Sequence, residues 1–318
     1  MHTVSSFYIG GCCMDYVLTT ESLSKKYGKN RALQDIDLKI PKGSIYGLVG
    51  KNGAGKTTLM RVITGLQAPT SGTYTLSGVK NTDRKITKVR RRMGALVETP
   101  GFYKNLTAYD NIKLQYINLG ITSYDTIPDL LKLVNLQDTG KKHAGKFSLG
   151  MRQRLGVALA MCGNPDILVL DEPINGLDPQ GIIEMREMLL NINKERSTTI
   201  LISSHILDEL SRLATDYAFI DNGRILQTLS AENLLRKTTK AARLTVSDTK
   251  AMCRVLDNTG FKYEIASDGT IDVFGDINIT RMVHEADKEN VEILKVIEND
   301  ETLEAYFMNL VGNGGEQS

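Results

Sequence analysis

The residues with the clearest chemical pattern lie together between positions 50 and 58. This stretch reads Gly50, Lys51, Asn52, Gly53, Ala54, Gly55, Lys56, Thr57 and Thr58. Its glycines, lysine and first threonine match the phosphate-binding loop, in which backbone N–H groups turn towards phosphate oxygens. We predict that the Lys56 ammonium reaches the β- and γ-phosphates of a nucleotide, and that the Thr57 hydroxyl is a ligand of Mg²⁺.

The segments on either side of this loop have the patterns of a strand and a helix. Residues 45–49 form an apolar run that predicts a buried strand, and residues 59–63 predict a helix. The loop therefore leads into a helix N-terminus, whose partial positive charge attracts phosphate. A glycine-rich turn that fits the pattern by chance is the alternative, and the strand and helix in register argue against it.

A second group of candidate residues follows two other apolar segments. Asp171 and Glu172 come directly after the unbroken apolar run 167–170, which is typical of a parallel strand buried on both faces. Sheets of this type bind ligands at the carboxyl ends of their strands. His205 lies just beyond the predicted strand 198–203. The alternatives are a capping role for the two carboxylates and a purely structural role for the histidine.

Composition limits the classes of function that fit. The chain has 318 residues, 41% of them apolar, and a formal net charge of +2, so we expect two domains and no nucleic-acid partner. The basic run 84–92 carries apolar residues at helical spacing, which predicts a helix with a solvated basic face. No apolar run approaches the roughly 18 residues of a membrane span. Cys12, Cys13, Cys162 and Cys253 have no disulfide or metal-site spacing, which favours a reducing cytosolic setting.

The pattern of elements divides the chain into four regions. Residues 1–13 are predicted to be a disordered extension, and residues 14–228 an α/β domain with a helical subdomain at about 100–162. Residues 229–241 read as a linker helix. Residues 242–318 predict a small α+β domain whose order, β-α-β-β-α-β, is ferredoxin-like. A final amphipathic helix is marked by Leu303, Tyr306, Phe307 and Leu310.

A further motif connects the two groups of candidate residues to a known family. The sequence Ser148-Leu149-Gly150 stands about 20 residues before Asp171, and a histidine follows the next strand. As a set, these motifs resemble the ABC transporter ATPases, which are P-loop NTPases, over residues 16 to about 228. The resemblance implies that Asp171 holds Mg²⁺, that Glu172 polarises the attacking water, and that His205 contacts the γ-phosphate.

The same resemblance implies roles for residues outside the loop. Tyr27 would stack on adenine, although an ordinary surface aromatic is the alternative. Asp178 would couple the two sites of a dimer. Ser148 and Gly150 would bind the γ-phosphate that the opposite subunit holds. Since the chain has one phosphate loop, the resemblance implies a homodimer, or a heterodimer with a homologous ATPase, with ATP bound between the subunits.

Two departures from the common pattern narrow the resemblance. Met151 stands where the signature usually has Gln, and Glu98 stands where a Gln usually ends the strand before the helical subdomain. Glu98 is a possible Mg²⁺ ligand, but its charge repels a γ-phosphate. Glu98 with residues 99–107, and the tail 303–312, resemble the bacitracin and lantibiotic export subgroup. In that subgroup a separate membrane permease is the partner, and residues 101–105 would contact it.

Three functions follow as hypotheses. The first is the ATP-hydrolysing subunit of an exporter or immunity transporter for a peptide antibiotic, held at the cytoplasmic face of the membrane by its permease. The second is an importer ATPase whose C-terminal domain senses a regulatory ligand. The third is a non-transport ATPase acting on ribosomes or DNA, against which the single ATPase domain and the lack of a long coiled-coil insertion argue.

Overall fold

The computed structural model describes residues 15–238, 241–274, 278–299 and 303–313. It divides into two compact units after Ser230. The predicted extension 1–13 lies outside the described residues. The first unit contains, in chain order, β1 (Tyr16–Tyr27), β2 (Asn30–Pro41), β3 (Ile45–Val49), α1 (Lys56–Ile63), β4 (Ser71–Leu76), β5 (Val79–Lys80), α2 (Ile86–Arg90), β6 (Met93–Leu96), α3 (Ala108–Leu119), α4 (Ile127–Leu133), α5 (Leu149–Met161), β7 (Ile167–Asp171), α6 (Pro179–Arg196), β8 (Thr199–Ser204), α7 (Leu207–Ser211), β9 (Asp216–Asp221) and β10 (Arg224–Ser230).

The centre of this unit is a six-stranded sheet with the order β10-β9-β3-β8-β7-β6. Strand β3 is parallel to β8 and β9, and β7 is parallel to β8 and β6. Every residue of β3, β7 and β8 is buried, in agreement with the unbroken apolar runs. Because these strands are parallel, their carboxyl ends meet at one edge, where the loop after β3 and the ends of β7 and β8 lie side by side.

A second, antiparallel sheet of order β2-β1-β4-β5 packs on the first. Buried residues alternate along β2, including Ile36, Leu38 and Ile40. They belong to a hydrophobic cluster that also contains Leu48 of β3 and Leu59 of α1. This packing places the turn between β1 and β2 beside the phosphate loop.

The region between β6 and β7 is mostly helical, as the sequence predicts. Two of its helices begin at residues whose side chains cap them. The Thr107 hydroxyl accepts a hydrogen bond from the Asp110 N–H at 3.1 Å, and the Ser148 hydroxyl accepts one from the Met151 N–H at 3.3 Å. Thr107 is thereby fixed at the N-terminus of α3 and Ser148 at the N-terminus of α5.

The second unit is smaller and has its own core. It contains α8 (Ala231–Thr238), β11 (Ala241–Val246), α9 (Thr249–Thr259), β12 (Lys262–Ile265), β13 (Ile271–Phe274), α10 (Ile279–Lys288), β14 (Ile293–Asn299) and α11 (Leu303–Asn313). Its antiparallel sheet has the order β12-β13-β11-β14. Side chains of α9 and α10, among them Met252 and Met282, pack with Leu244 and Val273 of this sheet. From β11 to β14 the order of elements is the one that the sequence predicts.

The junction of the units differs in detail from the predicted linker 229–241. Leu229 and Ser230 continue β10, because they pair with Tyr217 and Asp216 of β9. The strand therefore runs two residues past the predicted domain end at 228. The helix within the predicted linker is α8, and residues 239–240 lie outside the described residues. Within the described ranges, no helix is long and apolar enough to cross a bilayer.

Candidate active site

The loop between β3 and α1 depends on its glycines for both conformation and packing. Gly53 and Gly55 have φ of +85° and +110°, which side chains disfavour. A Cβ on Gly50 would lie 2.5 Å from the Ile220 carbonyl oxygen. Helix α1 has no side-chain cap at its N-terminus, so its first N–H groups are available to an anion. These features fit a phosphate group.

Lys56 begins α1 with its ammonium group almost completely buried. The side chain is 5% exposed, and its Nζ lies 3.1 Å from the Glu172 Oε1. The Nζ also donates hydrogen bonds to the Gly50 carbonyl at 2.5 Å and to the Lys51 carbonyl at 3.2 Å. A buried cation requires such partners. The lysine is therefore held across the mouth of the loop and joins it to the carboxylate after β7.

A hydroxyl–carboxylate network connects the first turn of α1 with the ends of the neighbouring strands β7 and β8. The Thr57 Oγ1 donates to the Asp171 Oδ2 at 2.7 Å, and the Ser203 Oγ donates to the Asp171 Oδ1 at 2.6 Å. The Ser203 Oγ also accepts a hydrogen bond from the Glu172 N–H at 2.8 Å. The predicted pair of Thr57 and Asp171 is thus brought together. The role of Ser203 was missed, although its place at the end of a buried strand beside β7 is a usable signal.

Glu172 lies between two further predicted residues. Its Oε1 faces Lys56, and its Oε2 lies 2.7 Å from the His205 Nδ1. The backbone of Glu172 has φ of +50°, an uncommon value for a residue with a side chain, and such conformations concentrate at functional sites. One carboxylate thus lies between a cation and an imidazole, where it can accept a proton or orient a water molecule.

An open cleft of about 490 Å³ lies over the loop. It brings together most of the predicted loop residues, Tyr27 and Glu172 with six residues that sequence reasoning missed. The missed residues are Asn30, Arg31, Ala32, Gln34, Asn222 and Gly223. They come from the start of β2 and from the β9–β10 turn, and only the tertiary fold brings these segments to the loop. The Gly223 N–H, for example, donates to the Ala54 carbonyl at 2.9 Å.

Tyr27 lies at the rim of this cleft and is 43% exposed. Its hydroxyl donates to the Gln67 side chain, and the Lys25 Nζ lies 5.2 Å from its ring centroid. A cation therefore contacts the ring by a cation–π interaction. The ring is placed where a planar base could pack against it, as the resemblance implied.

Eight predicted residues are not among the described residues that line the cleft. Gly50 and Ala54 belong to the loop, and Asp171 and His205 contact the lining residues Thr57 and Glu172. The other four are Ser148, Gly150, Asp178 and Glu98. Ser148 and Asp178 are exposed, and each caps its own helix; Asp178 accepts from the Gly181 N–H at 3.1 Å. Glu98 is exposed and forms an ion pair with Arg61. The site within one chain thus contains the loop, the carboxylates and the histidine, but not the signature residues.

Comparison with known proteins identifies the family to which the chain belongs. A protein-family model described as "ABC transporter" matches residues 33–175. The chain is 39% identical over 304 residues to the bacitracin transport ATP-binding protein BcrA of Bacillus licheniformis, covering 95% of this chain and 99% of that protein. It is 45% identical over 210 residues to the lantibiotic transport ATP-binding protein SrtF of Streptococcus pyogenes, covering 66% of this chain and 89% of that protein.

The fold has a counterpart among solved structures. The structure of cbiO1 from Clostridium perfringens, part of the ABC transporter complex cbiONQ, has a TM-score of 0.64 and 25% identity, covering 77% of this chain and 96% of that one. The phosphate loop, the carboxylate pair and the similarity to BcrA along the chain all indicate the same family. This chain belongs to the ATP-binding proteins of ABC transporters, and it is an ATPase.

Proposed function

We propose that the chain is the ATP-hydrolysing subunit of an exporter or immunity transporter for a peptide antibiotic. The observation that carries this proposal is the 39% identity to a bacitracin transport protein across 95% of this chain and 99% of the relative. That alignment includes both compact units, so the similarity is not limited to the ATPase unit. The importer alternative has no comparable support.

Within the ATPase unit, the contacts of four polar side chains support a role for each of them in hydrolysis. Glu172 would orient and polarise the attacking water, because its carboxylate lies at the cleft between Lys56 and His205. Lys56 would turn from Glu172 to the phosphates when ATP occupies the loop, which frees the carboxylate for the water. His205 would contact the γ-phosphate, and Ser203 would hold the backbone after Asp171 in place.

The donor set also fits Mg²⁺. Thr57 and Asp171 offer hydroxyl and carboxylate oxygens, which are the ligands that this hard cation prefers, and these oxygens lie 2.7 Å apart. Bound there, Mg²⁺ would neutralise charge on the phosphates during hydrolysis. Glu98 remains a possible additional ligand.

A second subunit would complete the site. Ser148 and Gly150 lie at the N-terminus of the 13-residue helix α5 and do not line the cleft of their own chain, and Asp178 is exposed. This arrangement supports their presentation to a nucleotide bound by a partner ATPase. We therefore propose a homodimer or heterodimer in which ATP is bound between the two subunits.

The remaining partners follow from the family. A separate integral membrane permease would hold the chain at the cytoplasmic face of the membrane, in contact with residues 101–105. The second unit would be a ferredoxin-like domain, which its strand order β12-β13-β11-β14 and its antiparallel pairing support.

Substitution of Glu172 tests the hydrolytic part of the proposal. In Glu172→Gln we expect ATP hydrolysis to fall about 100-fold or more, because general-base assistance contributes on this scale, while ATP binding is retained. Glu209→Gln is the matched control, since the Glu209 side chain is 24% exposed, close to the 19% of Glu172, and pairs with Arg186 of α6. Hydrolysis by Glu172→Gln at the wild-type rate would contradict the assignment.

The transport part needs an experiment in cells. The tagged chain, recovered from detergent-solubilised membranes, should bring down a membrane permease. Cells with the wild-type chain should tolerate more bacitracin or lantibiotic than cells with Glu172→Gln. Recovery of ribosomes or nucleic acid without a membrane protein would overturn the transport function and leave the ATPase assignment intact.

A further inference from the structure

An ion pair beside the active site gives Glu98 a partner, Arg61, that has no part in the functions proposed so far. The Arg61 Nη2 contacts the Glu98 Oε1, and the two side chains are 31% and 56% exposed. Neither residue is among the described residues that line the nucleotide cleft. Glu98 has φ of +70°, a region that residues with side chains enter rarely. The fold therefore holds Glu98 in a conformation that its sequence does not favour.

The position of this pair relates it to the metal-binding oxygens. Arg61 follows Thr57 by four residues on α1, so the two side chains share a helix face about 6 Å apart along the axis. Thr57 in turn contacts Asp171. The Glu98 carboxylate is therefore held by the residue that lies one helical turn beyond Thr57.

The strand register gives the same placement independently. Leu96 of β6 pairs with Leu170 of β7 in parallel. Glu98 and Glu172 each lie two residues beyond this pair, where the strands have ended. The edge of the sheet thus carries a third carboxylate beside Asp171 and Glu172, and it belongs to the segment that leads into the helical region.

Three carboxylates near one edge create an electrostatic difficulty for a polyphosphate ligand, since like charges repel strongly where water is partly excluded. Asp171 is held by two hydroxyl donors, and Glu172 is paired with Lys56. Arg61 supplies the corresponding neutralisation for Glu98. Every acidic group of the edge thus has a donor or a cation in contact with it.

We propose that Arg61 is a positioning residue, which neutralises the Glu98 carboxylate and holds it away from the phosphates of ATP. The proposal rests on the proposed function, because it requires that the loop 50–58 binds ATP. Its effect is largest when no divalent cation shields the phosphates. It acts through Glu98, so it disappears when Glu98 carries no charge.

A double-mutant cycle on the full-length chain measures this dependence. The dissociation constant for ATP is determined by calorimetry in EDTA at low ionic strength, for wild type, Arg61→Met, Glu98→Gln and the double variant. With Glu98 present, we expect Arg61→Met to weaken ATP binding about fivefold, the upper range for an exposed pair. In the Glu98→Gln background the same change should weaken it less than about twofold. The difference between the effects of Arg61→Met in the two backgrounds should shrink in 0.5 M salt, which screens exposed charges.

Two variants control for the loss of a surface cation. Arg92→Met removes a guanidinium that pairs with Asp166 at the opposite end of β7 and is 65% exposed, and it should leave ATP binding unchanged. Arg61→Lys keeps the charge and should stay within about twofold of wild type. Melting curves confirm folding, and Arg61→Gln replaces Arg61→Met with the same expectation if the methionine variant is unfolded.

The outcomes separate this proposal from the function on which it rests. Equal weakening by Arg61→Met in both backgrounds, or no weakening in either, overturns the coupling through Glu98 and leaves ATP binding intact. A lower melting temperature with unchanged ATP binding shows a purely structural link between α1 and residue 98, and it also overturns the proposal. Failure of the wild-type chain to bind ATP contradicts the proposed function itself.

Discussion

Each compact unit places a cation–carboxylate pair on its sheet, and the two pairs differ in burial. In the first unit, Lys56 and Glu172 are 5% and 19% exposed, and the lysine also donates to two backbone carbonyls. In the second unit, the Arg243 Nε and Nη2 donate to the two carboxylate oxygens of Asp272 at 2.6 and 2.7 Å. Arg243 is 51% exposed.

The comparison shows that good pair geometry does not by itself create a site. The bidentate pair of Arg243 is the better-formed contact, and Asp272 raises the pKa of Arg243 through this hydrogen bond and its charge. It nevertheless lies in water, where such pairs contribute little. Parallel strands in the first unit collect their carboxyl ends at one edge. The antiparallel strands of the second unit alternate in direction, so their carboxyl ends lie at opposite edges of the sheet.

The largest expected effect is on the buried pair. Lys56→Met removes the cation that would bind the phosphates and leaves Glu172 without its ammonium partner. We expect the dissociation constant for ATP, measured by calorimetry, to rise about 100-fold, equivalent to about 2.8 kcal/mol. Lys80→Met is the control, since Lys80 forms an exposed pair with Glu21. Binding within threefold of wild type would remove the lysine from the site.

A smaller effect is expected where the group removed from the buried network carries no charge. Ser203→Ala removes the hydroxyl that donates to Asp171 and accepts from the Glu172 N–H. Buried groups left without partners cost about 1–3 kcal/mol in the free energy of unfolding, and hydrolysis should fall about tenfold. Ser204→Ala is the control, because the Ser204 hydroxyl accepts from the Ile206 N–H and contacts neither carboxylate. Equal rates in both variants would contradict the role of Ser203.

Removal of the exposed pair between Arg243 and Asp272 should change the stability of the chain only slightly. Arg243→Met is expected to shift the melting temperature of the full-length chain by less than about 2 °C, because solvent and salt screen the charges. ATP binding and hydrolysis should not change. A loss of ATPase activity in this variant would show that the second unit is coupled to the active site and would break the contrast between the two pairs.

The smallest effect concerns an exposed carboxylate in the β12–β13 turn. Hydrogen bonds from the Thr270 hydroxyl and N–H, in that order of size, hold the pKa of Asp268 below its ordinary value. A lowered pKa stabilises the fold above the unfolded-state pKa of about 4, and this contribution is lost as the pH falls through the folded-state pKa. Asp268→Asn should therefore flatten the loss of melting temperature between pH 5 and pH 3. An unchanged acid profile would contradict this contribution.

Local patterns were sufficient for much of the ATPase unit. The phosphate loop, the buried strands β3 and β7, and the helix caps Thr107 and Ser148 all involve neighbours in sequence. Their signals are apolar runs, glycines and capping side chains, and the structure has them where the sequence predicts them. In the second unit, the order of strands and helices was predictable for the same reason.

The contacts between distant segments were not predictable in this way. Arg31 of β2 and Asn222 of the β9–β10 turn line the cleft from segments that are far apart in sequence, and no local pattern marks them. The extension of β10 to Ser230 depends on its pairing with β9. The pairing of Glu98 with Arg61 depends on how α1 packs beside the end of β6. Each of these is a consequence of packing between segments.

The sequence by itself determined the chemistry of this protein, because the glycines, Lys56, Thr57 and the carboxylates Asp171 and Glu172 form short motifs with recognisable spacing. The tertiary structure decided which of these groups face one another. The parallel sheet brings the ends of β3, β7 and β8 to one edge, and burial there forces each charge to find a partner. It also decided that Ser148 and Asp178 lie on the surface, outside the cleft of their own chain. Residue spacing cannot reveal this, because it depends on the direction in which a packed helix presents its end.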